Sequence, residues 1–340
     1  PIIDTKDIPS CASIYDFRDP CIFKKNGKLY IIVGSKSKDE KEAMLVLYEG
    51  EDIFHFHFLK KLVSSDKFGT MFECPNLVSF EDNNYIIMSP QNIKEKDGNF
   101  ANVSSCVYFK LKGDFIHEEQ TIEKVKEIDH GLEYYAPTVY DDEKILVNWV
   151  QMWGRRYYLD EIHNDFINTF SLFKKIKEKN GVLSFTPLSL ENYVTEKKIE
   201  KIKLNGESQT YHNCHVHYQV KFEKDEELCL TLEFFNSKQD KVNFVIDCKN
   251  NIYQLDRSNV SIPLNGVEDS YAKDGKRYLK KEIPSNCVID IYIDNAYVEI
   301  YFDNFEEGFS FINFSKEDGF SLKSNKLVEI SLLSENIEVK

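Results

Sequence analysis

The chain has 340 residues, of which 42% are hydrophobic and 29% charged, and a formal net charge of −14. That length suits two domains, each able to bury a core without covalent staples. The acidic balance and the lack of a basic tract exclude nucleic acid and an anionic membrane surface as expected partners, and no apolar run approaches the ~18 residues that cross a bilayer. The first residues, "PIIDTKDIPS", lack the basic-then-apolar layout of a secretory signal. The expectation is a soluble, cytoplasmic protein.

Taken in chain order, the predicted elements are strands. "KLYIIVGSK", "AMLVLYEG", "NLVSFEDNNYIIMSP", "SSCVYFKL" and "KILVNWVQMW" are short runs rich in Ile, Val, Tyr and Phe, separated by turn tokens such as "KKNGK", "EDNN", "KDGN" and "DDEK". One strand roughly every ten residues marks a propeller, barrel or sandwich. "FSLFKKIKEKNGVLSF" has some helical character, but its "KNG" turn favours a hairpin. At 195–206 the texture becomes charged and apolar-poor, which reads as a surface connector. Beyond it the strands alternate apolar and polar residues with period two, and "IDIYIDNAYVEIYF" has an Asp-Asn turn between two such runs. The expected organisation is therefore an all-β chain: a first domain over 1–194, a linker over 195–206 and a β-sandwich over 207–340.

Eight cysteines are scattered without a CxxC pair, a pattern of reduced thiols. "HNCHVH" invites a metal reading, yet in a strand His215 and His217 share one face while Cys214 takes the other. These are read as ordinary strand residues, and neither metal nor organic cofactor is expected.

Two short motifs carry candidate chemistry: "DFRDP" at 16–20 and "MFECPNL" at 71–77. Asp19 beside Arg18, with Pro20 stiffening the exit, suits an ionised carboxylate at a strand end. Glu73, between Phe72 and Cys74, reads as a carboxyl in apolar surroundings, the setting of a general acid. Two carboxyl groups pushed apart in this way are a signature of glycoside hydrolysis. Each motif alone is common by chance.

The ordered set "DFRDPCIFKKNGKLYIIVGS", "MFECPNLVSF", "YIIMSPQ", "DHGLEYYAP", "ILVNWVQMWGR", "DRSNV" and "IDIYIDNAYVEIYF" resembles glycoside hydrolase family 32, the invertases, fructanases and bacterial sucrose-6-phosphate hydrolases. The resemblance implies a five-bladed β-propeller, here partial, followed by a β-sandwich. It implies a retaining hydrolase of terminal β-D-fructofuranosides in which Glu73 is the acid/base and Cys74 tunes it, while Asp19, with Arg18 beside it, stabilises the transition state. Glu133 and Tyr134, with Asp129, match a stretch that lines the funnel, and Trp149 or Trp153 would contact substrate; packing within a blade is the equal alternative for each. The partner implied is a small sugar, and an oligomer is compatible with the sequence. Arg155, Arg156 and Lys36 are candidates for meeting a sugar phosphate, with surface solvation the simpler role.

Departures from the family are as informative. Its nucleophile lies in a "WMNDPNG"-like motif on the first blade, and nothing of the kind occurs here. Asp4, Asp7 and Asp16 lie too close to Asp19 to take that part. Blade arithmetic implies on the order of 100 residues upstream. Two readings follow, a piece of a retaining hydrolase or a short form that binds fructosides without cleaving them. Asn76 follows "ECP" where the family has aspartate, and "NTFSLFKK" replaces a "PRE"-like stretch.

Overall fold

A computed structural model describes residues 1–156, 169–212, 215–235, 241–260, 265–266, 275–313 and 319–338. Three four-stranded antiparallel sheets come first. β1 (Ala12–Lys25), β2 (Lys28–Ser37), β3 (Ala43–Gly50) and β4 (Phe56–Ser65) pair in that order. β5 (Met71–Ser79), β6 (Asn84–Gln91), β7 (Val107–Leu111) and β8 (Lys126–Glu127) form the second sheet. In the third, β9 (Tyr135–Tyr140) and β10 (Ile145–Trp149) pair with β12 (Lys174–Lys179) and β13 (Val182–Pro187), while β11 (Arg155–Arg156) stands outside it. Each sheet is an up-and-down meander, the unit of a propeller blade. The first strands of successive blades lie against one another, β1 on β5 and β5 on β9.

The dense apolar runs follow from burial on both faces. On β6, Ile86 and Met88 pack toward the first blade with Ile32, Leu45 and Leu47, whereas Tyr85 and Ile87 pack toward the third with Leu146 and Leu183. On β3, Leu45 and Leu47 face the second blade; Met44, Val46 and Tyr48 face the other way, where Ile3 and Ile8 cover them. The "KNG" segment is the turn of the β12–β13 hairpin, with Asn180 at φ 53° and Gly181 at φ 81°.

The stretch read as a connector is instead a strand, β14 (Val194–Glu207). Its side chains are mostly exposed because it pairs on one side only, which is why an edge strand can look like a loop in sequence. It is followed by β15 (His215–Glu223), β16 (Cys229–Phe235), β17 (Lys241–Asp247), β18 (Ile252–Asn259), β19 (Asn265–Gly266, paired with β11), β20 (Lys276–Lys280), β21 (Asn286–Asp294), β22 (Tyr297–Phe302), β23 (Glu307–Ile312) and β24 (Gly319–Ile337). β24 joins the two layers of the sandwich. Its first residues pair with β16 and its last with β15, while β14 runs along its opposite side. The layers part where β24 passes from β16 to β15, enclosing Val216, Leu230, Phe244, Ile291, Phe309 and Leu322. The β21–β22 hairpin forms as expected, with its turn one residue later, at Asn295 and Ala296.

Buried polar contacts join blades to sandwich. Glu133 meets Arg257 at 2.8 Å, Lys174 meets Glu299 at 2.8 Å, and Asp129 accepts from Ser310 Oγ at 2.7 Å. Leu132 inserts into the sandwich core itself.

Candidate active site

The innermost strands of the three blades share one irregularity. Asp19, Cys74 and Ala136 have φ of 59°, 50° and 50°, and each is followed by proline. Each lies at a break in pairing register with the neighbouring strand. A non-glycine residue in the left-handed region costs ~1 kcal/mol or more, and proline, lacking a donor, belongs at such a bulge. The repeat brings the preceding residues, Arg18, Glu73 and Tyr135, to one point.

Arg18 donates through Nε and Nη2 to Glu73 Oε1 at 3.2 and 2.9 Å. The Tyr135 hydroxyl donates to Glu73 Oε2 at 2.7 Å. Glu73 is thereby held at both oxygens, with only 5% of its surface exposed. The apolar surroundings expected from Phe72 are absent, because alternation turns Phe72 into the inter-blade core. Asp19 is likewise not the partner of Arg18. Its Oδ2 accepts from the Cys74 N–H at 2.9 Å, with the Cys74 thiol 3.7 Å away, and Arg18 instead reaches Asp16 Oδ1 through Nη1 at 2.8 Å.

The electrostatics follow from this packing. Burial would raise the Asp16 carboxyl, but the hydrogen bonds and charges of Arg18 and Lys36 outweigh it and hold the group below its ordinary range. Burial, then the charge of Glu73, pushes the Tyr135 phenol up, so it stays a donor. The Cys74 thiol is raised by burial and by Asp19 and Glu73. It therefore remains protonated.

The remaining candidates divide. Trp149 and Trp153 stand edge-on to Tyr135 at ring distances of 6.0 and 6.4 Å, and Trp153 is 59% exposed. Glu133 and Tyr134 are not brought to the site. Glu133 is turned to the sandwich at Arg257, and Tyr134 packs in the core beneath the third blade with the Lys174 ammonium 4.8 Å from its ring. Arg155 is buried and donates to Asn102 at 2.9 Å; Lys36 pairs with Asp16 at 3.0 Å. The Arg156 side chain and Cys214 lie outside the described residues. His215 pairs with Asp294, and His217 with Asp290 and Glu335; among the described residues no His, Cys, Asp and Glu group is arranged to hold a metal. Nor is any described helix long and apolar enough to cross a membrane. Tyr135 was missed, although aligning "RDP", "ECP" and "YAP" as one repeat would have found it.

Antiparallel blades gathered around a clamped carboxylate, followed by a β-sandwich, define a propeller-and-sandwich protein. Residues 1–187 match the model of the glycosyl hydrolases family 32 N-terminal domain, and the chain belongs to that family. It is 26% identical over 293 residues to a sucrose-6-phosphate hydrolase of Vibrio alginolyticus, covering 82% of this chain and 56% of the relative. A sucrose-6-phosphate hydrolase of Streptococcus mutans is 26% identical over 322 residues, covering 91% and 64%. The chain thus spans less than two thirds of the length of either relative. In fold it is similar to the sucrose-6-phosphate hydrolase of Lactobacillus gasseri, with a TM-score of 0.83 at 19% identity over 97% of this chain and 67% of that one. The β-fructofuranosidase of Bombyx mori superposes with a TM-score of 0.79 at 21% identity, over 95% and 66%.

Proposed function

We propose that this chain carries the acid/base part of a retaining glycosidase that releases fructose from terminal β-D-fructofuranosides, sucrose 6-phosphate or sucrose foremost. The observation that carries the reading is the clamp on Glu73, a buried carboxyl fixed by Arg18 on one oxygen and Tyr135 on the other. A positioned carboxyl of this kind protonates the departing glycosidic oxygen and, in the second step, takes a proton from water. Asp19, oriented by the Cys74 N–H, accepts hydrogen bonds from fructose hydroxyls as charge develops on the ring. Trp149 and Trp153 offer apolar faces to the sugar. The retaining reaction also needs a carboxylate ~5 to 5.5 Å from the acid/base, and no residue of this chain is assigned that role. Support for the phosphorylated substrate comes from the names of the relatives; a cytoplasmic location is part of the same proposal.

The test is fructose release from sucrose, sucrose 6-phosphate and inulin by the purified chain and its Glu73→Gln variant. Release that Glu73→Gln lowers by on the order of 100-fold or more supports the reading, and preference for inulin would move it to a fructanase. Binding of fructosides without release fits both a chain that lacks its nucleophile and a non-catalytic binding protein, since the clamp and the Trp pair also suit recognition; release once the missing carboxylate segment is supplied separates the two. Release indifferent to Glu73→Gln overturns the assignment.

A further inference from the structure

We propose that Asp16, held by Lys36, is a positioning residue that sets the orientation and effective charge of Arg18 toward Glu73; the inference rests on the reading of Glu73 as acid/base. β1 contains a second irregularity besides the one at Asp19. Its pairing with β2 slips between Ala12 and Phe17, and the slip is built rather than loose. Ser13 Oγ accepts from the Tyr15 and Asp16 N–H groups at 3.2 and 3.3 Å, and Ser35 Oγ donates to the Asp16 carbonyl at 2.8 Å.

The product of this bulge is a carboxylate on the far side of the guanidinium. Arg18 gives Nη1 to Asp16 at 2.8 Å and keeps Nε and Nη2 for Glu73, while Lys36 holds the other Asp16 oxygen at 3.0 Å. Four side chains of alternating charge therefore run Lys36, Asp16, Arg18, Glu73. The sister blades do not repeat the arrangement. Two residues before Glu73 stands Met71, fully buried and apolar, and two before Tyr135 stands Glu133, turned to Arg257. A guanidinium with one fixed edge presents the other in a defined plane. Without Asp16 that edge is free to rotate.

Charge gives the proposal its sign. The charged and titratable groups around Glu73 are Arg18 and Asp16 of β1, Lys36 of β2 beyond Asp16, Tyr135 of β9, and Cys74 with its partner Asp19. Asp16 offsets part of the positive charge that Arg18 presents, and Lys36 offsets part of Asp16. Removing the first makes the site more positive; removing the second makes it more negative. Asp16→Asn and Lys36→Met therefore act on Glu73 in opposite directions.

The experiment has two readouts. The first needs no turnover: exchange of the Arg18 Nε–H proton with water, followed by NMR. It is expected to quicken on the order of tenfold in Asp16→Asn, where the guanidinium has lost a fixed partner, and to recover in Asp16→Glu. The second is the pH profile of kcat/KM for fructose release. Its alkaline limb is expected to move to lower pH by roughly half a unit or more in Asp16→Asn and to higher pH in Lys36→Met. Unchanged Arg18 exchange in Asp16→Asn, or limbs that move in one direction in both variants, overturns the proposal. If the wild-type chain releases no fructose there is no pH profile to compare, and the Arg18 proton alone decides.

Discussion

The Asn76 amide donates to the carbonyls of Cys74 and Pro137 at 2.9 and 2.8 Å, and its oxygen accepts from the Val139 N–H at 3.0 Å. One side chain thus fastens the bulge that carries Glu73 to the bulge that carries Tyr135. A carboxylate at this position would have no donor for the two facing carbonyls. Asn76→Asp is expected to cost about 1–3 kcal/mol in urea unfolding, because both acceptors lose their partner and face a like partial charge. Tyr135→Phe makes a narrower change, deleting the hydroxyl on Glu73 Oε2. A hydrogen bond to a charged group contributes about 1.5–3 kcal/mol, so kcat should fall roughly ten- to a hundredfold with little loss of stability, as steady-state kinetics and a thermal melt together would show.

At the scale of elements, the blades come close enough to build the clamp because β2 has no side chain at the crossing. Gly34 pairs with Arg18, and a Cβ there would stand 2.2 Å from the Phe72 carbonyl, whose peptide leads into Glu73. Backbone cannot yield as a flexible side-chain tip does. Gly34→Ala should therefore push β5 away from β1, costing about 1–3 kcal/mol of stability and on the order of 100-fold in kcat through separation of Arg18 from Glu73; Gly34→Ala with a retained Arg18–Glu73 contact by NMR would refute it. The strands themselves were legible from composition and turn tokens, and the β12–β13 and β21–β22 hairpins from "KNG" and from the Asp-Asn pair, the latter one residue early. The site was legible only in part. Arg18, Asp19 and Glu73 stood out by motif, but partners did not, because neighbours in a strand point to opposite faces: Asp19 does not meet Arg18, and Phe72 does not surround Glu73. Glu133 was misplaced for a related reason, since its partner Arg257 lies 124 residues away. No local pattern announces such a contact.

Across the whole molecule, the seam between blades and sandwich concentrates buried charge, and this gives stability a pH dependence. His130 sits 3.0 Å from Glu307 and 3.4 Å from Glu127. Burial disfavours its charge, but the two carboxylates prevail and raise it from 6.5 to about 10. Its contribution is therefore complete below pH 6.5 and is lost as pH rises through about 10. Glu307 moves the opposite way: burial is outweighed by His130, Lys126 and Lys281, and the carboxyl falls from 4.5 to about 2. That contribution is present above pH 4.5 and lost as pH falls through about 2. Asp129 is raised by burial from 3.8 to about 6 despite accepting from Ser310 and Gly131, so it favours the folded state below 3.8 and withdraws that support as pH rises through about 6. The three together place the seam's greatest contribution between pH 3.8 and 4.5, with a first decline up to about 6 and a second up to about 10. Urea unfolding followed across that range should show both steps, and His130→Gln should lower stability by about 3–5 kcal/mol near neutrality, since it takes the cation from buried Glu127 and leaves Glu307 with Lys126 and Lys281 alone. It should also flatten the upper step and move the lower one, which belongs to Asp129, to higher pH, since the His130 charge helps hold that carboxyl down. A variant that loses stability equally at every pH would show that His130 acts by filling space rather than by charge.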